Sequence, residues 1–163
     1  MDQTPILVIT TGGTIDKNYF DALSEYQIVD SGIPALLKEA RVALAFRTLE
    51  VCRKDSLELT DEDRAAIARC VAQARETRIV ITHGTDTMTD TAKALADIAG
   101  KTIVLTGALS PARFAETDAP FNLGMAFAAA QVAPPGVYIA MSGQVFDGLK
   151  VRKDRAAGRF VAL

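Results

Sequence analysis

The sequence predicts a three-layer, doubly wound α/β fold: a mostly parallel sheet with helices on both faces, ending in a β-hairpin. Three observations carry this. Short apolar, β-branched runs alternate with segments of helical periodicity along the whole chain. The strand-like runs are apolar at nearly every position, as strands covered on both faces must be. Three of them, "ILVIT", "RIVIT" and "TIVLT", end in threonine and lead into glycine-bearing loops.

Each element has its own signal. "ILVIT" (6–10) is a buried strand. Residues 11–29 show no periodicity and are rich in Gly, Asp and Ser. An irregular connection of that length in a compact domain marks a lid or binding loop. "SGIPALLKEARV" (31–42) is a helix with Ser31 as its N-cap candidate, and "ALAFRTLEV" (43–51) is a second strand. In "LTDEDRAAIARCVAQAR" (59–75) Thr60 can cap, Asp63 lies three residues on, and Ile67, Cys70, Val71 and Ala74 share one helical face. "RIVIT" (78–82) is a strand, and "MTDTAKALADIA" (88–99) is a helix with Gly100 just past its end. "TIVLT" (102–106), the helix "APFNLGMAFAAAQVA" (119–133) with Pro120 in its first turn, and the strand "GVYIAMSG" (136–143) follow. In "QVFDGLKVRK" (144–153), Asp147-Gly148 between alternating residues signals a hairpin. This order suits a Rossmann-like or flavodoxin-like domain, in which ligands bind beyond the carboxyl ends of the strands.

Bulk properties exclude several classes of function. A chain of 163 residues fits one domain with a real core. The net charge of −2, with acids and bases mixed, offers no basic stripe for nucleic acid and no polybasic patch for a membrane surface. No apolar run is long enough to span a bilayer, and "MDQTPILVITTGG" lacks the basic start of a signal peptide. Cys52 and Cys70 have no metal-type spacing and read as reduced thiols. The expectation is a cytoplasmic protein with neither a nucleic-acid nor a membrane partner.

Chemistry is therefore sought in the loops at the strand ends: "TTGGTID" (10–16), "THGTDTM" (82–88) and "TGALSP" (106–111). Glycine there lets backbone N–H groups approach a ligand closely. The phosphate-loop pattern fails because Thr14 and Ile15, not Lys-Ser/Thr, follow Gly13, and the dinucleotide fingerprint lacks its spaced glycines. His83 is the single histidine, so no histidine cluster for a metal exists, and directly after an apolar strand it reads as structural. Threonines, a lysine and carboxylates remain. A threonine hydroxyl becomes a nucleophile when a base takes its proton. A lysine of lowered pKa, oriented by a carboxylate, can be that base. Thr85 and Asp86 could serve such a relay with a lysine from elsewhere, or simply cap the following helix.

Taken in order, these motifs resemble the bacterial-type L-asparaginases. "TTGGTID" is similar to that family's first signature and "THGTDTM" to its second. "DSLELTDED" (55–63) resembles its substrate-carboxylate segment, "TGALSPARFAETDAPFNL" (106–123) its Gly-Ala-x-x-Pro … Asp-Gly-Pro-Phe-Asn-Leu segment, and "VFDGLKVRK" (145–153) the hairpin that carries its lysine. The resemblance implies roles. Thr14, supported by Gly13, would attack the side-chain amide of L-asparagine, and Tyr26 would close over the site and help move the proton. Thr85, Lys153 and Asp86 would form a second triad, with Asp86 also pairing with the substrate α-ammonium. Ser56 would hold the α-carboxylate, the Thr85 N–H the oxyanion, and the Ala108 carbonyl the leaving nitrogen. The products would be L-aspartate and ammonia, with no metal or organic cofactor.

Departures from the pattern carry expectations too. The chain stops soon after Lys153, so the resemblance implies a single N-terminal-type domain over 1–163 without the usual C-terminal one, in a homo-oligomer, a dimer or a tetramer. Leu57 stands where many members have Gln, and Ala119 where Gly is usual. The rival readings are a non-catalytic or regulatory domain binding aspartate or asparagine, and an anion- or nucleotide-binding domain around Gly12 and Gly13.

Overall fold

The computed structural model describes residues 5–163, so residues 1–4, which entered the reading of the N-terminus, lie outside it. The first half of the chain gives β1 (Ile6–Gly12), β2 (Lys17–Phe20), β3 (Glu25–Ile28), α1 (Ile33–Glu39), β4 (Phe46–Lys54) and α2 (Asp61–Gln73). The second half gives β5 (Arg78–Thr82), α3 (Met88–Ala94), β6 (Thr102–Thr106), α4 (Ala119–Val132), β7 (Gly136–Met141), β8 (Gln144–Asp147), β9 (Val151–Asp154) and β10 (Arg159–Ala162). A six-stranded sheet runs in the order β4-β1-β5-β6-β7-β8, parallel except for β8 at the edge.

The expected three layers are present. Ile6 to Ile9, Ile79 to Ile81 and Ile103 to Leu105 are fully buried, because successive side chains meet opposite helical layers. Leu7, Ile9, Ile79, Ile81, Ile103 and Leu105 pack under α2 and α3 with Ile67, Val71, Met88 and Ala92. Ile6, Val8, Val80 and Val104 pack under α1 and α4 with Ile33, Leu37, Leu123 and Ala126. The path of the chain then places the site. From β1 it crosses to β4 on one side and returns to β5 on the other. That reversal opens a crevice at the carboxyl ends of β1 and β5, where Thr10 is in register with Thr82.

Local signals held in part. The capping box of α2 forms as expected: Thr60 Oγ1 accepts from the Asp63 N–H at 3.2 Å, and Asp63 Oδ2 accepts from the Thr60 N–H at 2.9 Å. Ser31 is not the N-cap of α1. Gly32 holds that position, and the Ser31 hydroxyl is turned to Asp16 instead, at 2.9 Å. Cys52 and Cys70 are free thiols.

Two expectations are corrected. Residues 11–29 are not irregular: β1 extends to Gly12, a 3-10 turn spans Thr14–Asp16, and β2 and β3 form an antiparallel hairpin. This flap stands off the core with Tyr19 paired to Tyr26 across its strands, so it shows no inside–outside alternation to read. Asp147-Gly148 does not turn a hairpin either. The turn that returns β7 into β8 is at Ser142-Gly143, where both φ angles are positive (56° and 72°), as a two-residue hairpin loop requires. The C-terminal hairpin is β9–β10, and it carries Lys153 opposite Phe160. Phe160, 1% exposed, belongs to the core cluster beneath α2 and α3, which ties the hairpin to the sheet.

Replacing Thr60 by alanine removes one half of the α2 capping box. The expected loss is about 1 kcal/mol of unfolding free energy, read by urea denaturation, with the fold retained.

Candidate active site

Four loops converge at the crevice, and their backbones touch. Gly13, at φ 83°, has its N–H bonded to the Lys54 carbonyl at 2.9 Å. A Cβ there would lie 2.5 Å from the Gly84 nitrogen, and one on Gly84 would lie 2.5 Å from the Ser56 Cβ. Real side chains do not fit such gaps, so the glycines are what allow the ends of β1, β4 and β5 to close on one another. The residues that follow these two glycines are Thr14 and Thr85.

Thr14 opens the 3-10 turn and is half-buried. It lines a cavity of about 350 Å³ with Lys17, Tyr26, Leu109, Ser110, Pro111 and Phe114. Tyr26 reaches this cavity from β3 in the flap, its ring 5.1 Å from Tyr19 and 6.1 Å from Phe114. Lys17 on β2 ties the flap to the turn after β4 through Asp55, at 2.8 Å. Burial alone would raise the Asp55 carboxyl, but the Lys17 ammonium and the Leu57 N–H outweigh it and hold it below its usual range.

The second group is assembled across the chain. Lys153 Nζ on β9 donates to Thr85 Oγ1 at 2.7 Å and to Asp86 Oδ1 at 2.9 Å. Thr85 is 7% exposed, and the Lys153 side chain is 18% exposed. Ser56, 1% exposed, presses on Gly84, and its Oγ has no hydrogen-bond partner among the described residues. Its carbonyl accepts from Thr87 Oγ1 at 2.8 Å, joining the β4 and β5 loops. Ala108 is buried in the β6 loop. That loop is held by Asp118, which accepts from the Leu109 and Ser110 N–H groups at 2.9–3.0 Å, and by Asn122, which donates to the Gly107 carbonyl at 3.0 Å. The structure thus gathers Gly13, Ser56, Thr85, Asp86 and Lys153 at one strand edge, with Thr14 and Tyr26 lining the adjoining cavity.

His83 is fully buried, with Nδ1 2.6 Å from the Gly84 carbonyl and Nε2 2.7 Å from Thr91 Oγ1. Burial pushes its pKa down to about 4, so it is a neutral brace for the β5 loop, as its place after a strand suggested. Ala119 is fully buried at the start of α4, so its methyl group is accommodated. Leu57 is exposed.

Sequence reasoning missed Asp16. It is 2% exposed and sits two residues after Thr14. Its N–H bonds to the Gly13 carbonyl, its own carbonyl accepts from the Val29 N–H, and its carboxylate accepts from Ser31 Oγ, so it clasps the foot of the flap to the Thr14 turn. Burial raises its pKa from 3.8 to about 6, against the lowering effect of the Ser31 and Gly32 hydrogen bonds. The signal available was its place inside the "TTGGTID" stretch, two residues after the candidate nucleophile.

These loops match a known family. The family model described as "Asparaginase, N-terminal" matches residues 5–160. The chain belongs to the asparaginase family. It is 33% identical over 163 residues to an L-asparaginase of Thermococcus kodakarensis, covering 94% of this chain and 48% of that one. The solved thermostable L-asparaginase of the same organism superposes with a TM-score of 0.85 at 30% identity, covering 98% of this chain and 51% of that one. A 90-residue stretch, 50% of this chain and 21% of the relative, is 40% identical to a component of the glutamyl-tRNA(Gln) amidotransferase of Methanococcus vannielii. This asparaginase-family chain spans about half the length of the curated L-asparaginase it matches.

The raised Asp16 pKa has a definite sign. Folding favours the protonated carboxyl, so the contribution is present below about pH 4 and is lost as pH rises through about 6. Asp16→Asn keeps an acceptor for Ser31 and cannot ionise. Its stability relative to the parent is expected to climb between about pH 4 and about pH 7.5, by at most about 3 kcal/mol, in urea titrations at several pH values.

Proposed function

We propose that this site hydrolyses the side-chain amide of L-asparagine to L-aspartate and ammonia through a threonine acyl-enzyme. The observation that carries the reading is Lys153 Nζ bonded at once to Thr85 Oγ1 and Asp86 Oδ1, beside the loop that presents Thr14. The family membership supports the chemistry.

Thr14 Oγ attacks the amide carbon, and its proton passes by way of the Tyr26 hydroxyl at the cavity wall. The Thr85 N–H and a neighbouring water receive the negative charge that grows on the amide oxygen. Such a donor typically contributes ~3 kcal/mol to the transition state. The Thr14 proton reaches the amide nitrogen, the C–N bond breaks, ammonia departs past the Ala108 carbonyl, and an aspartyl ester remains on Thr14. In the second half, Thr85 Oγ1, held in place by the Lys153 ammonium, takes a proton from water, and the proton of its own hydroxyl passes to Thr14 Oγ as the ester bond breaks. The water attacks the ester and restores Thr14. Asp86 faces the substrate α-ammonium. Ser56 Oγ, buried with no partner among the described residues, is available to the α-carboxylate, and an unsatisfied hydroxyl in such a place gains from any ligand that bonds it.

A second reading follows from the match to the amidotransferase component: the same amide cleavage, with the ammonia passed to an acceptor rather than released. Both readings require the threonines.

Thr14→Ala and Thr85→Ala are each expected to lower ammonia release from L-asparagine by at least about 10³-fold while leaving the circular dichroism spectrum unchanged. Full activity in either variant sinks the mechanism. L-Aspartate binding to the parent without any ammonia release would assign the site to binding alone.

A further inference from the structure

Asp86 has a second cationic neighbour. Arg155 lies two residues beyond Lys153, and its guanidinium is 3.6 Å from Asp86 Oδ1. The two cations are held differently. Lys153 is 18% exposed, lies 2.9 Å from the carboxylate and also bonds Thr85, so it is fixed. Arg155 is 68% exposed and makes no hydrogen bond to Asp86, so its head can swing into water. Its backbone is not free in the same way. The turn it starts is set by Asp154 Oδ1, which accepts from the Ala157 N–H at 3.0 Å, and by the pairing of Asp154 with Arg159. The hairpin is pinned behind by buried Phe160, whose N–H donates to Ser142 Oγ at 3.0 Å. The arginine is therefore presented at Asp86 by a rigid support.

We propose that Arg155 is a specificity-determining residue: its guanidinium competes with a ligand's α-ammonium for the Asp86 carboxylate, which shifts the site toward dicarboxylic acids and their mono-amides that carry no α-charge. This rests on the reading that Asp86 faces the α-ammonium. A ligand ammonium at Asp86 meets two cations already there. It must displace the looser one, and Arg155 is the one that yields. Succinate and succinamate have the same four-carbon skeleton as aspartate and asparagine but no ammonium, so they need not displace it. The guanidinium remains beside the site for their carboxylates.

The test is calorimetric binding of L-aspartate and succinate to the parent, Arg155→Ala, Arg155→Lys and Arg152→Ala. Arg152 is an exposed cation of the same hairpin, paired with Asp154 rather than Asp86, and serves as the control for net charge. Arg155→Ala is expected to tighten aspartate about two- to fivefold, the range for an exposed ion pair, and to leave succinate unchanged or weaker. Arg155→Lys and Arg152→Ala should keep the parent's ratio of the two affinities. An unchanged ratio in Arg155→Ala, a weaker aspartate affinity there, or an equal shift for both ligands overturns the proposal. So does a failure of both ligands to bind any of the proteins. Turnover is not needed: if the parent releases no ammonia from asparagine, hydrolysis fails and this comparison still decides the role of Arg155.

Discussion

The close packing of Gly13 on Gly84, and of Gly84 on Ser56, is the constraint on which the site depends. The sheet order brings the ends of β1 and β5 side by side, but strand order alone does not bring the loops that follow them into contact. Removing the side chains at Gly13 and Gly84 lets three loops meet at van der Waals distance. Thr14 and Thr85 then each follow directly on one of two glycines whose backbones pack against each other. The cost is backbone entropy in the unfolded chain, about 0.5–1 kcal/mol per glycine. The buried faces of β1, β5 and β6, packed on both sides, offset it.

Around that contact, the support is polar and mostly neutral. His83 is kept uncharged by burial and uses both ring nitrogens on the β5 loop and α3. Asp118 and Asn122 reach from the start of α4 to hold the β6 loop. Of the charged pairs, Lys153 with Asp86 belongs to the site itself and Lys17 with Asp55 borders its cavity, while Arg155 reaches Asp86 from solvent, where water weakens the pair. The arrangement separates what must be rigid from what must move. The flap of β2 and β3 meets the rest through Asp16, through Lys17–Asp55, and through Arg113, which donates to the Asp30 carbonyl at 2.6 Å. Apart from the Tyr26–Phe114 ring contact, these links are a few polar contacts rather than a packed face, which makes the flap the least firmly held part of the site.

Legibility followed burial. The runs 6–10, 78–82 and 102–106 read as strands because both faces of the sheet are covered, and a covered strand must be apolar throughout. The α2 helix read clearly because Thr60 and Asp63 settle its start locally. The flap was illegible, since a hairpin standing in solvent needs no pattern of burial. The turn at Ser142-Gly143 was passed over in favour of Asp147-Gly148, because the sequence shows which residues tolerate a tight turn and not which strands are there to be joined.

The sequence by itself determined the layered α/β class, the strand ends where chemistry had to lie, and through its ordered motifs the family and the residues to watch. Those are properties of local periodicity and of short, contiguous signatures. Only the tertiary structure decided that Lys153 meets Thr85 and Asp86 across 68 and 67 residues, that Tyr26 faces the same cavity as Thr14, and that Asp16 and Arg155 join the site. Contacts of that reach depend on the order of strands in the sheet and on where a hairpin is anchored. Both are set by the burial of the whole chain at once, and no local stretch contains them.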